Sequence, residues 1–370
     1  MTLVKHIIGV GLDKDAIGGE VGKIKAEFVT VDEDSDGQRL DNYLIRQLKG
    51  VPKTHVYRII RSGEVRVNKG RASADTRVHT GDIVRLPPVR VSERMADKAL
   101  EMEKLAVTYK AAGRTSALKD FPVLLEDDHL LAIDKPAGVA VHGGSGISFG
   151  VIEQLRMARP QAKFLELVHR LDRETSGILL IAKKRSALTH LQNQFRERET
   201  GKTYLALVMG TWPANKKVLD KPLHKFLLEN GERRVKVTHK DDPDGMKSVT
   251  LVKVAQRFAH FTLLEVTIKT GRTHQIRVHL ASEGYPIAGD DKYGDFQFNK
   301  ALLKQSSQSS EHNTPLKRMF LHAWRLQLTH PATGERVELL ADLPPELQNY
   351  LKSLPPTPHA SSPNPASTPV

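Results

Sequence analysis

The residues best suited to chemistry lie in the segment from His169 to Ile181, where one carboxylate stands among basic side chains. Asp172 lies between Arg170 and Arg173, in a short polar turn just before the apolar run that begins at Gly177. Because a strand end is rigid and aspartate has few rotatable bonds, this carboxylate can be aimed at a ligand. The same residues could form a surface Arg-Asp-Arg salt-bridge cluster, and the segment alone leaves both interpretations open.

Two further segments supply polar groups that an active site could use. Tyr204 stands near the start of a predicted strand and offers a phenol that can stack on a base or line a pocket. The run from Thr270 to His279 begins a predicted helix with a high density of hydrogen-bond donors, where backbone N–H groups also favour anions. Three polar clusters, each beside an apolar strand or helix, predict one shared cleft.

Composition and spacing exclude several kinds of site. The 370 residues contain no cysteine, which excludes disulfides, thiolate zinc sites, iron–sulfur clusters and cysteine nucleophiles. His274 and His279 are five positions apart, and the motifs HExxH and GxSxG do not occur, so we expect no metal and no serine-hydrolase elbow. The stretch Gly143 to Gly150 lacks the spacing of a phosphate loop and instead predicts a flexible loop at the rim of a site. His142 before it either packs against that loop or contacts a ligand at the rim.

The positive charge of the chain is concentrated in one segment. Lys and Arg exceed Asp and Glu to give a net charge of +13, and between Gln38 and Arg90 twelve basic residues stand against four acidic ones. Such a concentration predicts a polyanionic partner. Apolar spacing predicts one helix from Leu40 to Leu48 and a second that is capped by Thr54.

This basic segment resembles an S4 RNA-binding domain. The resemblance is carried by "RLDNYLIRQL", "THVYRIIRSGEVRVNKG" and "GDIVRLPP". It implies structured RNA as the partner without saying what is done to that RNA. The basic residues that we expect to contact RNA are Arg39, Lys53, Arg58, Arg61, Arg66 and Lys69.

The pattern of predicted secondary structure changes after Phe121, where short β-rich runs alternate with helical ones. The predicted strands often follow one another without a helix between them, which favours an α+β fold with a largely antiparallel sheet. We expect a loose lead-in over 1–36, the basic module over 37–90, a charged linker over 91–120, a catalytic domain over 121–353 and a disordered proline-rich tail over 354–370. With no apolar run near the roughly 18 residues of a membrane span and no secretory signal, we expect a cytoplasmic protein.

The chemistry-bearing blocks resemble those of the RluA-type pseudouridine synthases. The matching blocks are "HRLDRETSGILLIAKK", "KTYLALV" and "TGRTHQIRVHL", and the resemblance runs from about Gln38 to about Leu351. It implies an S4 module followed by a pseudouridine synthase catalytic domain that isomerises uridine without a cofactor. It also implies large-subunit ribosomal RNA as the partner. We expect no membrane and no metal as partners, and a monomer.

The resemblance assigns roles to individual positions. Asp172 stands where the family has its catalytic aspartate, and Arg277 where it has the arginine that pairs with that aspartate. Tyr204 matches the tyrosine that stacks on the target base, and Arg170 the arginine that fills the gap left by the flipped nucleotide. Further substrate-binding candidates are Arg272, His274 and His142.

The sequence leaves two other functions open. One is a non-catalytic RNA-binding or ribosome-assembly factor that uses the basic module as an anchor. The other is a glycosidase that excises a base from RNA. The carboxylate of Asp172 could act as a nucleophile, stabilise positive charge at C1′ or remove the 2′ proton, and the sequence does not choose among these routes.

Overall fold

The computed structural model describes residues 26–48, 51–89, 121–143, 150–229, 231–304 and 315–357. The chain divides into two compact units, Met1–Asp120 and Phe121–Val370. The expected linker over 91–120, most of the glycine-rich stretch and most of the proline-rich tail lie outside the described residues. In the ranges that are described, the helices fall short of the length and apolar character that a membrane span needs.

The described part of the first unit contains two short α-helices, a 3-10 turn over Glu33–Ser35 and two small sheets. Its elements are β1 (Glu27–Thr30), β2 (Gln38–Arg39), α1 (Leu40–Gln47), α2 (Lys53–Arg61), β3 (Arg66–Val67), β4 (Gly70–Arg71), β5 (Arg77–Val78) and β6 (Ile83–Leu86). The four-stranded sheet has the order β1-β6-β3-β4, and β2 pairs with β5. Strand β1 lies within the segment 1–36 that we expected to be loose, and it joins this sheet through β6.

The start of α2 differs from the prediction that Thr54 caps it. The helix begins at Lys53, and Pro52 occupies the capping position with an extended backbone. The carbonyl of Pro52 accepts hydrogen bonds from the N–H groups of His55 and Val56 at 2.9 and 3.1 Å. Proline suits this place because its ring fixes φ and because a helix start needs no N–H there. Thr54 is thus inside the first turn.

The second unit is built on one large sheet. Its strands are β7 (Val123–Glu126), β8 (Leu130–Lys135), β9 (Glu166–Leu167), β10 (Ser176–Ala182), β11 (Gly201–Met209), β12 (Val218–Asp220), β13 (Leu223–Leu227), β14 (Arg233–Val237), β15 (Val249–Arg257), β16 (Phe261–Ile268), β17 (Leu321–Thr329) and β18 (Arg336–Leu340). Its helices are α3 (Val151–Ala158), α4 (Arg185–Glu197), α5 (Gln275–Ser282), α6 (Phe296–Lys304) and α7 (Pro345–Ser353).

The large sheet confirms the predicted α+β class. Its order is β12-β15-β16-β11-β17-β10-β8-β7, with β9 added on β10 and β18 on β17. Only the short pairing of β10 with β17 is parallel among the pairings of this sheet in the described residues. The strands β13 and β14 form a separate hairpin. The sheet is therefore mixed but largely antiparallel.

Strand β10 is the most deeply enclosed strand beside the candidate site. All seven of its residues are buried. Ile178 and Leu180 pack in a cluster that includes residues of α4, whereas Leu179 and Ile181 pack in a cluster that includes residues of α3. Since successive side chains of a strand point to opposite faces, helices cover both faces of β10. The polar turn just before β10 therefore rests on a rigid element.

A glycine lets β10 approach β17 where that turn ends. Gly177 has a φ of +109°, and a Cβ atom at this position would lie 2.3 Å from the carbonyl oxygen of Ala323 in β17. We expect Gly177→Ala to lower the free energy of unfolding by about 3 kcal/mol, because backbone strain and a clash with main-chain atoms add. Thermal and urea denaturation measure this loss.

Gly284→Ala is the matched control for that substitution. Gly284 has a φ of +85° but open space where a Cβ would stand, so only the backbone cost of about 1 kcal/mol is expected. Equal losses in the free energy of unfolding for the two variants would show that the close approach of β10 and β17 does not contribute to stability.

Candidate active site

A cavity of about 370 Å³ brings the three predicted polar clusters together. It is lined by the turn before β10, the start of β11 and the start of α5. The sequence-predicted residues that line it are Arg170, Asp172, Tyr204, Arg272, His274 and Arg277. His142 is exposed and is not among the lining residues, so its contact with a ligand at the rim stays a prediction.

A buried lysine holds the turn that carries Asp172. Lys135, at the end of β8, is fully buried, and its Nζ donates to the carbonyls of Pro136, Val139 and Arg173 at 2.9, 2.9 and 3.2 Å. The N–H of Gly138 also donates to the carbonyl of Arg173. Burial lowers the pKa of Lys135 to about 7. The backbone next to Asp172 is thus tied to the end of β8.

The two arginines beside Asp172 in sequence do not pair with it. Arg170 is exposed at the cavity, and the Nε of Arg173 donates to the carbonyl of Gly138 at 3.0 Å while lying 3.4 Å from Glu174. A surface Arg-Asp-Arg cluster is therefore not formed. The side chain of Asp172 is 30% exposed, and its cationic neighbour comes from α5 instead.

Arg277 reaches Asp172 from the first turn of α5 while a buried carboxylate holds it. Its Nη1 lies 3.5 Å from Oδ2 of Asp172. Its Nε and Nη2 donate to the two carboxylate oxygens of Asp290 at 2.8 and 2.7 Å. Asp290 is itself held by the N–H groups of Lys292 and Tyr293. Such a two-pronged contact fixes the plane of the guanidinium group and aims its third nitrogen at Asp172.

Burial and charge oppose each other within this pair. The side chain of Arg277 is 3% exposed. Burial works against the charged guanidinium, but the hydrogen bonds and negative charge of Asp290 prevail and raise the pKa of Arg277 above its ordinary value. Likewise burial works against the Asp290 carboxylate, and Arg277 nonetheless lowers its pKa. Both groups therefore keep their charge at neutral pH.

His274 lies beside the same carboxylate. It precedes α5 with a φ of +54°, a left-handed conformation that few residues other than glycine adopt. Its Nδ1 lies 2.8 Å from the hydroxyl of Tyr293, and that hydroxyl accepts the N–H of Val235 at 3.1 Å. In the tautomer in which Tyr293 donates to Nδ1, the ring proton of His274 is on Nε2, 3.8 Å from Oδ2 of Asp172. Burial lowers the pKa of His274, which keeps the ring neutral.

Tyr204 presents a neutral phenol to the cavity. It lies on β11, next to an irregularity in the pairing with β17, and its ring packs against the buried clusters on its inner side. Burial, and to a smaller extent the charge of Asp172, raises the pKa of this phenol well above its ordinary value. The ring therefore offers a flat apolar face on which a base can stack.

The basic residues predicted to contact RNA lie at the surface of the first unit, but they are not equivalent. Lys53, Arg58 and Arg61 project from the exposed side of α2, opposite its buried apolar residues. Arg39 is paired with Asp41 at 2.8 Å, and the Nε of Arg66 donates to the carbonyl of Gly63. The exposed cations of this set that make no ion pair within the described residues are Lys53, Arg58, Arg61 and Lys69, although Arg61 donates to the carbonyl of Tyr57 at 3.4 Å and Arg58 lies 3.3 Å from His55.

One group of potential metal ligands lies elsewhere in the described part of the second unit. His224, Asp242 and Asp244 offer one ligand atom each within 4.8 Å of one another. Asp242 already accepts hydrogen bonds from Thr238 and His224. None of the three lines the cavity, so the chemistry of Asp172 does not depend on them.

Sequence reasoning missed the residues that hold the site together. Asp290 and Tyr293 stand on a turn after α5, where no periodic pattern points to the cavity. Lys135 precedes a proline at the end of an apolar run, which gives no sign of its contact with the Asp172 turn. Only the tertiary fold brings these residues next to the three blocks that the sequence singled out.

Comparison with known families agrees with this arrangement. Residues 129–282 match the family model described as RNA pseudouridylate synthase, and residues 38–84 match the S4 domain. The chain is 49% identical over 328 residues to ribosomal large subunit pseudouridine synthase C of Yersinia pestis, covering 89% of this chain and 95% of that protein. It is 50% identical over 335 residues to the protein of the same name from Escherichia coli strain K12, and the alignment covers 90% of this chain and 98% of that protein.

A solved structure shares the fold. Human RNA pseudouridylate synthase domain containing 4 aligns with a TM-score of 0.53 and 26% sequence identity, covering 66% of this chain and 97% of that chain. This likeness supports the fold described above.

The pairing of Arg277 with Asp290 makes a prediction about stability. We expect Asp290→Asn to lower the free energy of unfolding by about 3 kcal/mol, because it removes the negative charge that compensates a buried guanidinium. Urea denaturation measures the change. Glu265→Gln is the control, since Glu265 pairs at 3.4 Å with an exposed lysine and such a pair contributes less than about 1 kcal/mol. Similar losses in both variants would contradict a special role for Asp290.

Proposed function

Because the chain belongs to the RNA pseudouridylate synthase family, we propose that it isomerises uridines of large-subunit ribosomal RNA to pseudouridine, with Asp172 as the catalytic carboxylate. The observation that carries the proposal is the convergence of Asp172, Arg277 and Tyr204 on one cavity. The ribosomal substrate rests on the names of the relatives and on the S4 module. As part of the same proposal, the protein acts in the cytoplasm, where bacterial ribosomal RNA is made.

The reaction exchanges one glycosidic bond for another. The bond between N1 and C1′ breaks, the base rotates, a bond between C5 and C1′ forms, and the proton lost from C5 is balanced by one gained at N1. Neither a redox partner nor water is consumed. These atoms are hidden in folded RNA, so the nucleotide must first be extruded, at a cost of roughly a few kcal/mol.

The cavity residues suit the separate tasks of this reaction. Arg170, exposed at the cavity, can enter the space that the extruded nucleotide leaves in the RNA. The neutral ring of Tyr204 can stack on the base, and stacking offsets part of the extrusion cost. Arg272 and His274 line the same cavity and can donate hydrogen bonds to the nucleotide.

In this proposal, Asp172 acts on the ribose or the base. Its Oδ2 lies 3.5 Å from Nη1 of Arg277 and 3.8 Å from Nε2 of His274, so both groups face the carboxylate. In a site shielded from water, such fixed charges act more strongly than they do in bulk solvent. The carboxylate can attack a carbon atom, stabilise a cation at C1′ or accept the 2′ proton.

The central prediction concerns Asp172→Asn. We expect isomerisation to fall to background, whereas folding and RNA binding persist because Arg277 keeps its contact with Asp290. The assay incubates ribosomal RNA that carries tritium at uridine C5 and measures tritium release together with free base. Glu174→Gln is the matched control, since it removes a carboxylate from the same turn outside the cavity lining and should keep activity within a few fold.

The same assay separates the rival functions. Tritium release without free base supports isomerisation, whereas free uracil would indicate a glycosidase. No reaction of the wild-type protein with any ribosomal RNA would favour a non-catalytic assembly factor. Turnover retained by Asp172→Asn would remove Asp172 from its proposed role.

The basic face of α2 makes a prediction about affinity. We expect Arg58→Ala combined with Arg61→Ala to weaken RNA binding and to reduce the slope of log K against log salt by about 1 to 2, because fewer counterions are released. Filter binding at several salt concentrations measures the slope. Arg58→Lys with Arg61→Lys keeps both charges and should keep the slope. An unchanged slope in the alanine variant would contradict phosphate contact by this face.

A further inference from the structure

The cavity contains a buried cation that the proposed chemistry does not use. Lys202, near the start of β11, is 9% exposed and lines the same cavity as Asp172 and Tyr204. Within the described ranges its ammonium group has neither a carboxylate at ion-pair distance nor a hydrogen-bond acceptor. The ammonium lies over the ring of Phe195, 5.0 Å from its centroid.

In the described residues, the charge of Lys202 is compensated only by a weak cation–π contact with the face of the Phe195 ring. Burial, followed by the positive charges of Arg198 and Lys269, lowers its pKa. His169 stacks on Phe195 at 4.9 Å, and burial lowers the pKa of that histidine to about 4, so it is neutral. A buried ammonium without a partner destabilises the folded state. By contrast, Lys135 satisfies its ammonium with three carbonyl oxygens.

We propose that Lys202 binds a phosphodiester group of the nucleotide whose base enters the cavity, with Arg198 and Lys269 adding to the positive field. The inference rests on the proposed function, because RNA is the ligand that brings the anion. A full negative charge compensates an ammonium group, whereas a base carbonyl supplies only a dipole. Lysine fits this task since its ammonium acts as a point charge toward phosphate.

The position of Lys202 along β11 suits such a contact. It stands two residues before Tyr204, a distance of about 7 Å along a strand, and both residues line the cavity. A single nucleotide bridges a separation of this size between its base and its phosphate. The base on Tyr204 and the phosphate on Lys202 would therefore belong to one nucleotide.

Lys202→Met tests the assignment first. We expect kcat/KM to fall roughly ten- to hundredfold, the loss of a charge-assisted contact, and to fall mainly through KM, because a phosphate is bound equally before and during the reaction. The melting temperature should stay the same or rise, since methionine fills the space without an uncompensated charge. Lys202→Arg should recover part of the loss. The control is Lys253→Met, which removes a lysine whose side chain is 74% exposed and should change neither quantity.

A chemical change in the RNA completes the test. The wild-type protein first identifies a modified uridine in a ribosomal RNA fragment, and that fragment is then made with one neutral methylphosphonate on the 5′ or the 3′ side of this uridine. At one of the two positions, we expect the methylphosphonate to lower kcat/KM of the wild-type protein by the same roughly ten- to hundredfold. The same substitution should not lower kcat/KM of Lys202→Met any further.

The outcomes separate the subsite from the function. Three results would each overturn the phosphate subsite alone. The first is that the variant and the methylphosphonate lower kcat/KM independently at both positions. The second is an unchanged kcat/KM in Lys202→Met, and the third is a loss confined to kcat. A lowered melting temperature of Lys202→Met with no coupling to either methylphosphonate would identify a structural lysine and would overturn it as well. Failure of the wild-type protein to modify any uridine would overturn the proposed function together with the subsite.

Discussion

The buried guanidinium of Arg277 is the contact on which the site depends. Two of its nitrogens are bound by Asp290, and the third faces Asp172. An unpaired arginine at this depth would be strongly unfavourable, and a pair without further hydrogen bonds would recover little of that cost. Asp290 is itself held by two backbone N–H groups, so the arginine is fixed before any substrate arrives. Its free edge is then a preorganised partner for the carboxylate that the chemistry needs.

The rest of the fold brings Asp172 to that arginine. The turn carrying Asp172 is held by the buried ammonium of Lys135 on one side and by β10 on the other, where helices cover both faces of the strand. Gly177 allows β10 to approach β17 closely enough for the turn to end where it does. His274 is oriented from another direction by Tyr293. Asp172, Arg277 and His274 are thus each held in position by a further residue.

Much of this could be predicted from the sequence, and the reason differs from part to part. The strand over 261–268 and the helix over 185–197 follow apolar periodicity, which is a local property. The three polar blocks stood out because they resemble a known family, and they meet in one cavity. The contact of Asp172 with Arg277 followed only from the family resemblance, because the two residues lie far apart in the sequence. The local pattern suggested Arg170 and Arg173 as partners, and neither pairs with Asp172. Asp290, Tyr293 and Lys202 act through tertiary contacts or burial, which leave no pattern in one sequence.

The most direct test of the account is a crystal structure of the Asp172→Asn variant bound to a fragment of ribosomal RNA. We predict one uridine extruded into the cavity, its base on the ring of Tyr204, its C1′ beside the amide at position 172, and Arg277 still bound through two nitrogens to Asp290. A uridine that stays stacked in the RNA, or an amide at position 172 turned away from the ribose with Arg277 released from Asp290, would contradict the account.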